Sequence, residues 1–304
     1  MKKFCVAFFI LPVFFVFFSC ESMDSDSFGN AVGSTAGAFL GEEKGVAFGA
    51  AAAAAARAGE GFAPEQEYYI GRAVAATLLQ TYRIYNAPAF TEYLNEIVMT
   101  LAVNSPVPEI YNGYHTAILD TNEINAFATS GGHILVTRGL LAAAESEDAL
   151  AAVLAHELAH IQLGHSTKAI RSSRVVDTML ANAATIAAAN DINMDEVSRA
   201  LGDSVNDVVS TLVTKGYSQT QEYDADKYAL SLMASAGYDP RAMADMLAVL
   251  QRQSSSVRGG LTSTHPSATN RLSRVNTDLN TPAYQNLVIN GRNERNARYA
   301  KTKL

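Results

Sequence analysis

Cysteine is almost absent from this chain of 304 residues, and tryptophan is absent altogether. The two cysteines are Cys5 and Cys20, so residues 21–304 contain none. No disulfide can therefore link two parts of that body, and no cysteine thiolate can bind a metal there. Any metal site in the body must be built from histidine, aspartate or glutamate side chains.

Basic residues are also fewer than acidic ones. The chain carries 30 acidic residues against 23 lysines and arginines, which gives a formal net charge of -7. Proteins that bind nucleic acid usually present a basic face to the phosphates. No nucleic-acid-reading motif is present either, so the sequence argues against nucleic acid as a partner.

The N-terminus carries an apolar run that is too short to span a membrane. Two lysines precede residues 4–18, FCVAFFILPVFFVFF, whereas a spanning helix needs about 20 apolar residues. This pattern is typical of an export signal, and Ser19-Cys20 resembles a lipoprotein cleavage site at which Cys20 is acylated. An uncleaved anchor and an ordinary secretory signal are the alternatives. We expect residues 1–20 to be a lipoprotein signal and the body to lie in the periplasm, anchored to a membrane.

Residues 21–63 begin as a polar tether and continue as a segment rich in glycine and alanine. Six glycines recur at every fourth position: Gly29, Gly33, Gly37, Gly41, Gly45 and Gly49. On a helix this period forms a stripe that lets another backbone approach closely, as in membrane helix pairs. A second membrane or partner contact is therefore one interpretation, and a flexible linker is the other.

From residue 64 to residue 280 the pattern predicts a globular domain dominated by helices, with one small sheet. A polar, basic tail is expected over residues 281–304. The predicted strands cover residues 114–119, 124–129 and 133–137, and the main predicted helices cover 65–85, 89–104, 146–163, 219–235, 241–252 and 267–279.

The strongest chemical signal is the pentapeptide His156-Glu157-Leu158-Ala159-His160, within an apolar helical pattern. Histidines at i and i+4 lie one turn apart on the same face of a helix. Both imidazoles can therefore bind one zinc ion, and Glu157 can take a proton from a water that the metal acidifies. This spacing is typical of zinc peptidases.

A third ligand is needed to complete such a site. His165 lies close in sequence, but the longer HExxHxxGxxH form would require glycine at position 163 and histidine at position 166, where Leu163 and Ser166 stand. Glu222 is the better candidate, because it and Asp226 are again i and i+4 on a predicted helix. Asp226 is suited to accept a hydrogen bond from a ligand histidine and to orient it.

Four motifs in this order resemble the M48 metallopeptidases over residues 64–280. Along the chain they are Asn125-Ala126 followed by Gly131-Gly132, HELAH from His156, EYDAD from Glu222, and Thr264-His265-Pro266 followed by Arg271.

The resemblance implies an α+β, mostly helical zincin fold with one small β-sheet. It implies one zinc ion per chain, held by His156, His160 and Glu222, with Glu157 as the general base. It implies that a strand including Asn125, Ala126 and Phe127 binds the substrate backbone by strand addition. It also implies that His265 lies in the catalytic site. There it would either stabilise the oxyanion or occupy the open zinc position in a latent form.

The expected function is zinc-dependent cleavage of unfolded or misassembled envelope proteins, with polypeptides as substrates. The alternative is a membrane-tethered chaperone or assembly factor with latent proteolysis. Arg271 is expected to be structural, as the ion-pair partner of a buried carboxylate.

Overall fold

The computed structural model describes residues 64–172, 209–210, 216–254, 264–265 and 268–302. The expected signal segment with Cys20 and the glycine-periodic segment, residues 1–63, lie outside this part of the chain. All described residues belong to one compact unit. No helix within them is long and apolar enough to cross a membrane.

The described chain begins with two helices, continues through three strands and ends in a series of helices. The elements are α1 (Pro64–Thr81), α2 (Pro88–Val103), β1 (His115–Leu119), β2 (Ala126–Thr129), β3 (His133–Thr137), α3 (Arg138–Ala143), α4 (Glu147–Gln162), α5 (His165–Ser172), α6 (Gln219–Ser235), α7 (Arg241–Ser254), α8 (Ala268–Leu279), α9 (Pro282–Gln285) and α10 (Arg292–Thr302). This confirms the predicted α+β fold, mostly helical with one small sheet.

The sheet has the strand order β1-β3-β2, with β1 parallel and β2 antiparallel to the central strand. Gly131 and Gly132 make the turn between β2 and β3, and both have positive φ angles of 73° and 93°. Such backbone angles favour glycine, because other side chains are strained there. The antiparallel register pairs Ala126 with Val136, and the strand order makes both β1 and β2 outer strands of the sheet.

The two faces of the sheet bury different side chains, as the alternation of side chains along a strand requires. One face contributes Ile118, Ile134 and Val136 to the main core, which also includes α4. The other face contributes Leu119, Phe127 and Leu135 to a smaller cluster with α1. The sheet is therefore covered on both sides.

Helix α4 is buried along almost its whole length. Every residue from Glu147 to His160 is buried, which is expected of a helix that is apolar all round. Its N-terminus is capped by Ser146, whose Oγ accepts a hydrogen bond of 3.1 Å from the Ala149 amide. Gly164, with a φ of 66°, ends the helix and turns the chain into α5.

The C-terminal segment, expected as a polar tail over residues 281–304, instead forms α9 and α10. Tyr299 on α10 is buried, and its hydroxyl donates to the carbonyls of Leu141 and Ala144. Arg295 and Arg298 on the same helix bind the acidic first turn of α4. Two of the basic residues of this segment are thus bound to acidic residues far away in sequence, and α10 packs on the domain.

Candidate metal centre

Helix α4 places two histidines side by side in the interior of the fold. His156 and His160 are 4% and 0% exposed, and their Nε2 atoms lie 3.0 Å apart. The spacing of one helical turn brings the two imidazoles to the same face. Glu157 follows His156 directly and is fully buried.

Helix α6 packs against α4 and brings two carboxylates to these histidines. A capping box between Ser218 and Gln221 fixes the start of α6, so that Glu222 lies in its first turn. The Glu222 oxygens lie 3.5 Å from Nε2 of His156 and 3.4 Å from Nε2 of His160. Glu222, which the sequence pairs with Asp226 at i and i+4, therefore lies within 3.5 Å of both histidines.

Asp226 lies one turn further along α6 and contacts the other nitrogen of His156. Its Oδ1 is 3.0 Å from Nδ1 of His156. An acceptor at this nitrogen directs the proton of His156 to Nδ1 and leaves Nε2 free to bind a metal. Asp226 thus lies in contact with His156, and its supporting role remains a prediction.

A fourth donor comes from the segment before α8. His265 is 3% exposed, and its Nδ1 lies 2.9 Å from Oε1 of Glu222 and 3.3 Å from Nε2 of His156. Its Nε2 lies 3.5 Å from Oε1 of Glu157. Ligand atoms of His156, His160, Glu222 and His265 all lie within 4.8 Å of one another.

The dimensions of this cluster suit a zinc ion. Donor atoms bound to zinc at about 2.0–2.1 Å with tetrahedral angles lie about 3.3–3.4 Å apart. The contacts of Glu222 with the three histidines and of His156 with His160 and His265 run from 2.9 to 3.5 Å, and all four donors fall within 4.8 Å. Imidazole and carboxylate donors are also the ligands that zinc accepts in proteins. Within the described chain, neither carboxylate oxygen of Glu157 accepts a hydrogen bond, although both are buried. A buried carboxylate in this state is suited to a water molecule or a substrate group.

Arg271 on α8 ties the two carboxylates of α6 together. Its guanidinium donates to both oxygens of Asp226, at 2.9 and 2.7 Å, and its Nη1 lies 2.8 Å from Oε2 of Glu222. Arg271 is 3% exposed. The guanidinium thus has the contacts expected of an ion-pair partner of buried carboxylates, as proposed from the sequence.

The charges in this cluster set the protonation of its members. Burial and the Arg271 charge lower the pKa of His156, but the hydrogen bonds to Asp226 and Glu222 outweigh them and raise it to about 9. Burial raises the pKa of Asp226, yet Arg271 and His156 bring it down to about 2. Burial lowers the pKa of His160 well below its ordinary value. The pKa values of the two histidines are therefore shifted in opposite directions, upward for His156 and downward for His160.

The residues expected to bind substrate lie beside the cluster but do not all face it. Asn125 precedes β2, and its side-chain oxygen accepts a hydrogen bond of 3.0 Å from Thr264, the neighbour of His265. Phe127 instead packs in the smaller core, with its ring centroid 5.5 Å from that of Tyr82. The side chain of Phe127 is therefore not available to a substrate.

Two further residues contact His160, and sequence reasoning did not assign them to the site. His165 Nδ1 lies 2.9 Å from His160 Nδ1, and the Tyr217 ring stacks on His160 at 3.9 Å and 15°. His165 was considered only as a third ligand. The signal that could have found it is Gly164, a helix-ending glycine that reverses the chain just before it.

The buried helix carries two histidines that, with Glu222 and His265, could hold a metal ion, and this cluster is compatible with a zincin fold. The sequence profile of "Peptidase family M48" matches residues 88–278. The chain therefore belongs to peptidase family M48, a family of metallopeptidases.

Individual relatives agree with this membership. The β-barrel assembly-enhancing protease of Escherichia coli (strain K12) is 27% identical over 214 residues, which cover 68% of this chain and 42% of the relative. Metalloprotease LoiP of the same organism is 28% identical over 193 residues, covering 62% and 71%. The mitochondrial metalloendopeptidase OMA1 of Schizosaccharomyces pombe is 31% identical over 153 residues, covering 50% and 42%. The chain spans about two fifths of the length of the β-barrel assembly-enhancing proteases that it matches.

Proposed function

We propose that this protein is a zinc-dependent endopeptidase that cleaves unfolded or misassembled proteins of the cell envelope. The observation that carries the proposal is the buried cluster of His156, His160 and Glu222, with Glu157 beside it. The three residues would hold one zinc ion per chain. Zinc bound there supplies a Lewis acid that polarises the scissile carbonyl and acidifies a water molecule.

Glu157 is the general base in this proposal. Its carboxylate is buried and accepts no hydrogen bond within the described chain, so it is free to take the proton of the attacking water. The same carboxylate then passes the proton to the leaving amine. The substrate backbone would pair with β2, one of the two outer strands of the sheet, because an edge strand can pair with an added extended peptide.

The experiment that tests this proposal measures bound zinc and casein cleavage on the full chain, purified in detergent. We expect about one zinc per chain and cleavage by the wild-type protein. Glu157→Gln should keep the zinc and lose about 10²–10⁴-fold in rate, which is the usual contribution of a general base. The matched control is Glu145→Gln, an exposed glutamate before α4, which should cleave normally. A folded wild-type protein without zinc would refute the proposal.

A latent resting form is favoured by the position of His265. Catalytic zinc sites have three protein ligands and leave the fourth coordination position to water or substrate, whereas structural zinc sites have four protein ligands. His265 supplies a fourth donor within 4.8 Å of the other three. We therefore propose that His265 blocks the site until a substrate displaces it, which would suit a chaperone or assembly factor with restrained proteolysis. Casein cleavage by His265→Ala should then exceed that of wild type, whereas a loss of cleavage would instead support an oxyanion role.

We also propose that the protein lies in the periplasm and is anchored to a membrane. The lipoprotein-like signal and the name of the β-barrel assembly-enhancing relatives both support the periplasm. The lipid on Cys20 would anchor the protein, and the glycine-periodic segment would add a membrane or partner contact. Cell fractionation tests this anchor: Cys20→Ala should leave the membrane fraction, and Cys5→Ala should remain in it.

A further inference from the structure

The nitrogen of His160 that faces away from the donor cluster has a partner that the proposed reaction does not use. His160 Nδ1 lies 2.9 Å from Nδ1 of His165, which is 2% exposed. The positive φ of Gly164 turns the chain sharply between α4 and α5. The first residue of α5 is therefore folded back against the last turn of α4.

The chemistry of a metal-bound imidazole requires such a partner. An imidazole that binds a metal through Nε2 carries its proton on Nδ1 and must donate it to an acceptor. Ligand histidines almost always donate this proton to a carboxylate, a carbonyl or a water. Here the atom that faces the His160 Nδ1 is the Nδ1 of His165, at 2.9 Å. It can accept a hydrogen bond in the tautomer that carries the His165 proton on Nε2.

The face of the His160 ring is also in contact with a side chain. The Tyr217 ring stacks on it at 3.9 Å and 15°, and the Tyr217 hydroxyl lies 2.9 Å from Oγ of Ser166. Ser166 in turn donates to the carbonyl of Ala128 on β2. The ring plane of His160 is therefore set by stacking, and its rotation within that plane is set by His165.

We propose that His165 is the positioning residue of His160, a neutral hydrogen-bond acceptor that fixes its tautomer and aims its Nε2 at the metal. This inference rests on the metal centre proposed above. The two ligand histidines then have different supports, since Asp226 and Arg271 support His156. A neutral acceptor also suits the charge of the site, because the charges of zinc and Arg271 already equal those of Glu157, Glu222 and Asp226.

The test compares two substitutions of similar size in the full chain, purified in detergent. Asparagine carries an acceptor oxygen on Cγ, where histidine carries Nδ1, whereas leucine has a methyl group there. We expect His165→Leu to weaken zinc affinity about 10–100-fold, the usual effect of losing such a partner. His165→Asn should stay within about threefold of wild type on the same reasoning. The matched control is His115→Ala, an exposed histidine on β1, which should leave the affinity unchanged.

Zinc affinity is measured by competition with a chelator, and circular dichroism of each metal-free variant checks the fold. Wild-type affinity in His165→Leu would overturn the inference. An equal loss in the asparagine and leucine variants would also overturn it, because the ring volume rather than the acceptor would then matter. If the leucine variant fails to fold, the asparagine variant decides: retained affinity supports the inference, and a tenfold loss refutes it. A wild-type protein without zinc would be seen before any variant is compared, and would refute the metal centre itself.

Discussion

The C-terminal helix α10 neutralises a buried carboxylate at the start of the active-site helix. Glu147, the first residue of α4, is 0% exposed. Its Oε2 accepts hydrogen bonds from the Tyr93 hydroxyl at 2.7 Å and from Arg298 Nε at 2.8 Å, and its Oε1 pairs with Arg298 Nη2. Removing Arg298 would leave the carboxylate with only the tyrosine among these partners.

The size of the expected effect follows from this geometry. Breaking a buried ion pair by removing one partner costs about 3–5 kcal/mol, because the remaining charge is uncompensated. The Arg298 side chain is 50% exposed, so water can replace part of the lost interaction and salt screens the rest. We therefore expect Arg298→Ala to lower the free energy of unfolding by about 2 kcal/mol. For a domain of this size that corresponds to a fall in melting temperature of about 4–8 °C.

Urea unfolding of the full chain measures this loss as a lower midpoint with an unchanged slope. Lys301→Ala is the matched control, since Lys301 is an exposed cation on the same helix, and we expect a change below about 0.5 kcal/mol. Glu147→Gln combined with Arg298→Ala should lose less than the sum of the single variants, because the two residues share one interaction. Equal midpoints for Arg298→Ala and Lys301→Ala would refute the reasoning.

Three further predictions concern the site and its surroundings. Removing the metal with a chelator should lower the melting temperature, because a ligand that binds the folded state at 100 times its Kd stabilises it by about 2.7 kcal/mol; an unchanged melting curve would contradict this. Arg271→Ala should destabilise even the metal-free protein by about 3–5 kcal/mol, because Glu222 and Asp226 lose a buried partner, and urea unfolding measures it. Gly71→Ala should cost more than about 1 kcal/mol by the same method, because a Cβ at Gly71 would lie 1.5 Å from the carbonyl oxygen of Ser130.

Much of the fold follows from local sequence patterns. The strand over 133–137 and the helix over 219–235 were predicted with the bounds that the structure has. Alternation of apolar residues, a capping residue and a terminal glycine are all local signals, so they can be read without knowing the tertiary structure. The i and i+4 pairs on α4 and α6 are local in the same sense, and the structure brings both pairs to one point.

The residues that the sequence did not reveal act through contacts between distant segments. Helix α10 has little apolar periodicity, and it is held by Tyr299, Arg295 and Arg298, whose partners lie more than a hundred residues earlier. A basic, polar segment of this kind is indistinguishable from a solvated tail until its acidic partners are located. His165 was missed for a related reason, since a spacing rule tests for a ligand and not for the partner of a ligand.

Buried charges at both ends fix the orientation of α4, whose middle is uniformly apolar. Burial of apolar side chains is non-directional, so residues such as Ala151 and Ala152 select the rotation of α4 about its axis less strictly than its charged and polar residues do. Rotation by one residue turns a helix by about 100°, which would separate Glu147 from Arg298 at one end and His156 from Asp226 at the other. Each separation leaves a buried charge or polar group without its partner, at a cost of several kcal/mol. The contacts of Glu147 with Arg298 and of His156 with Asp226 therefore select the rotation of α4 in which both histidines face Glu222.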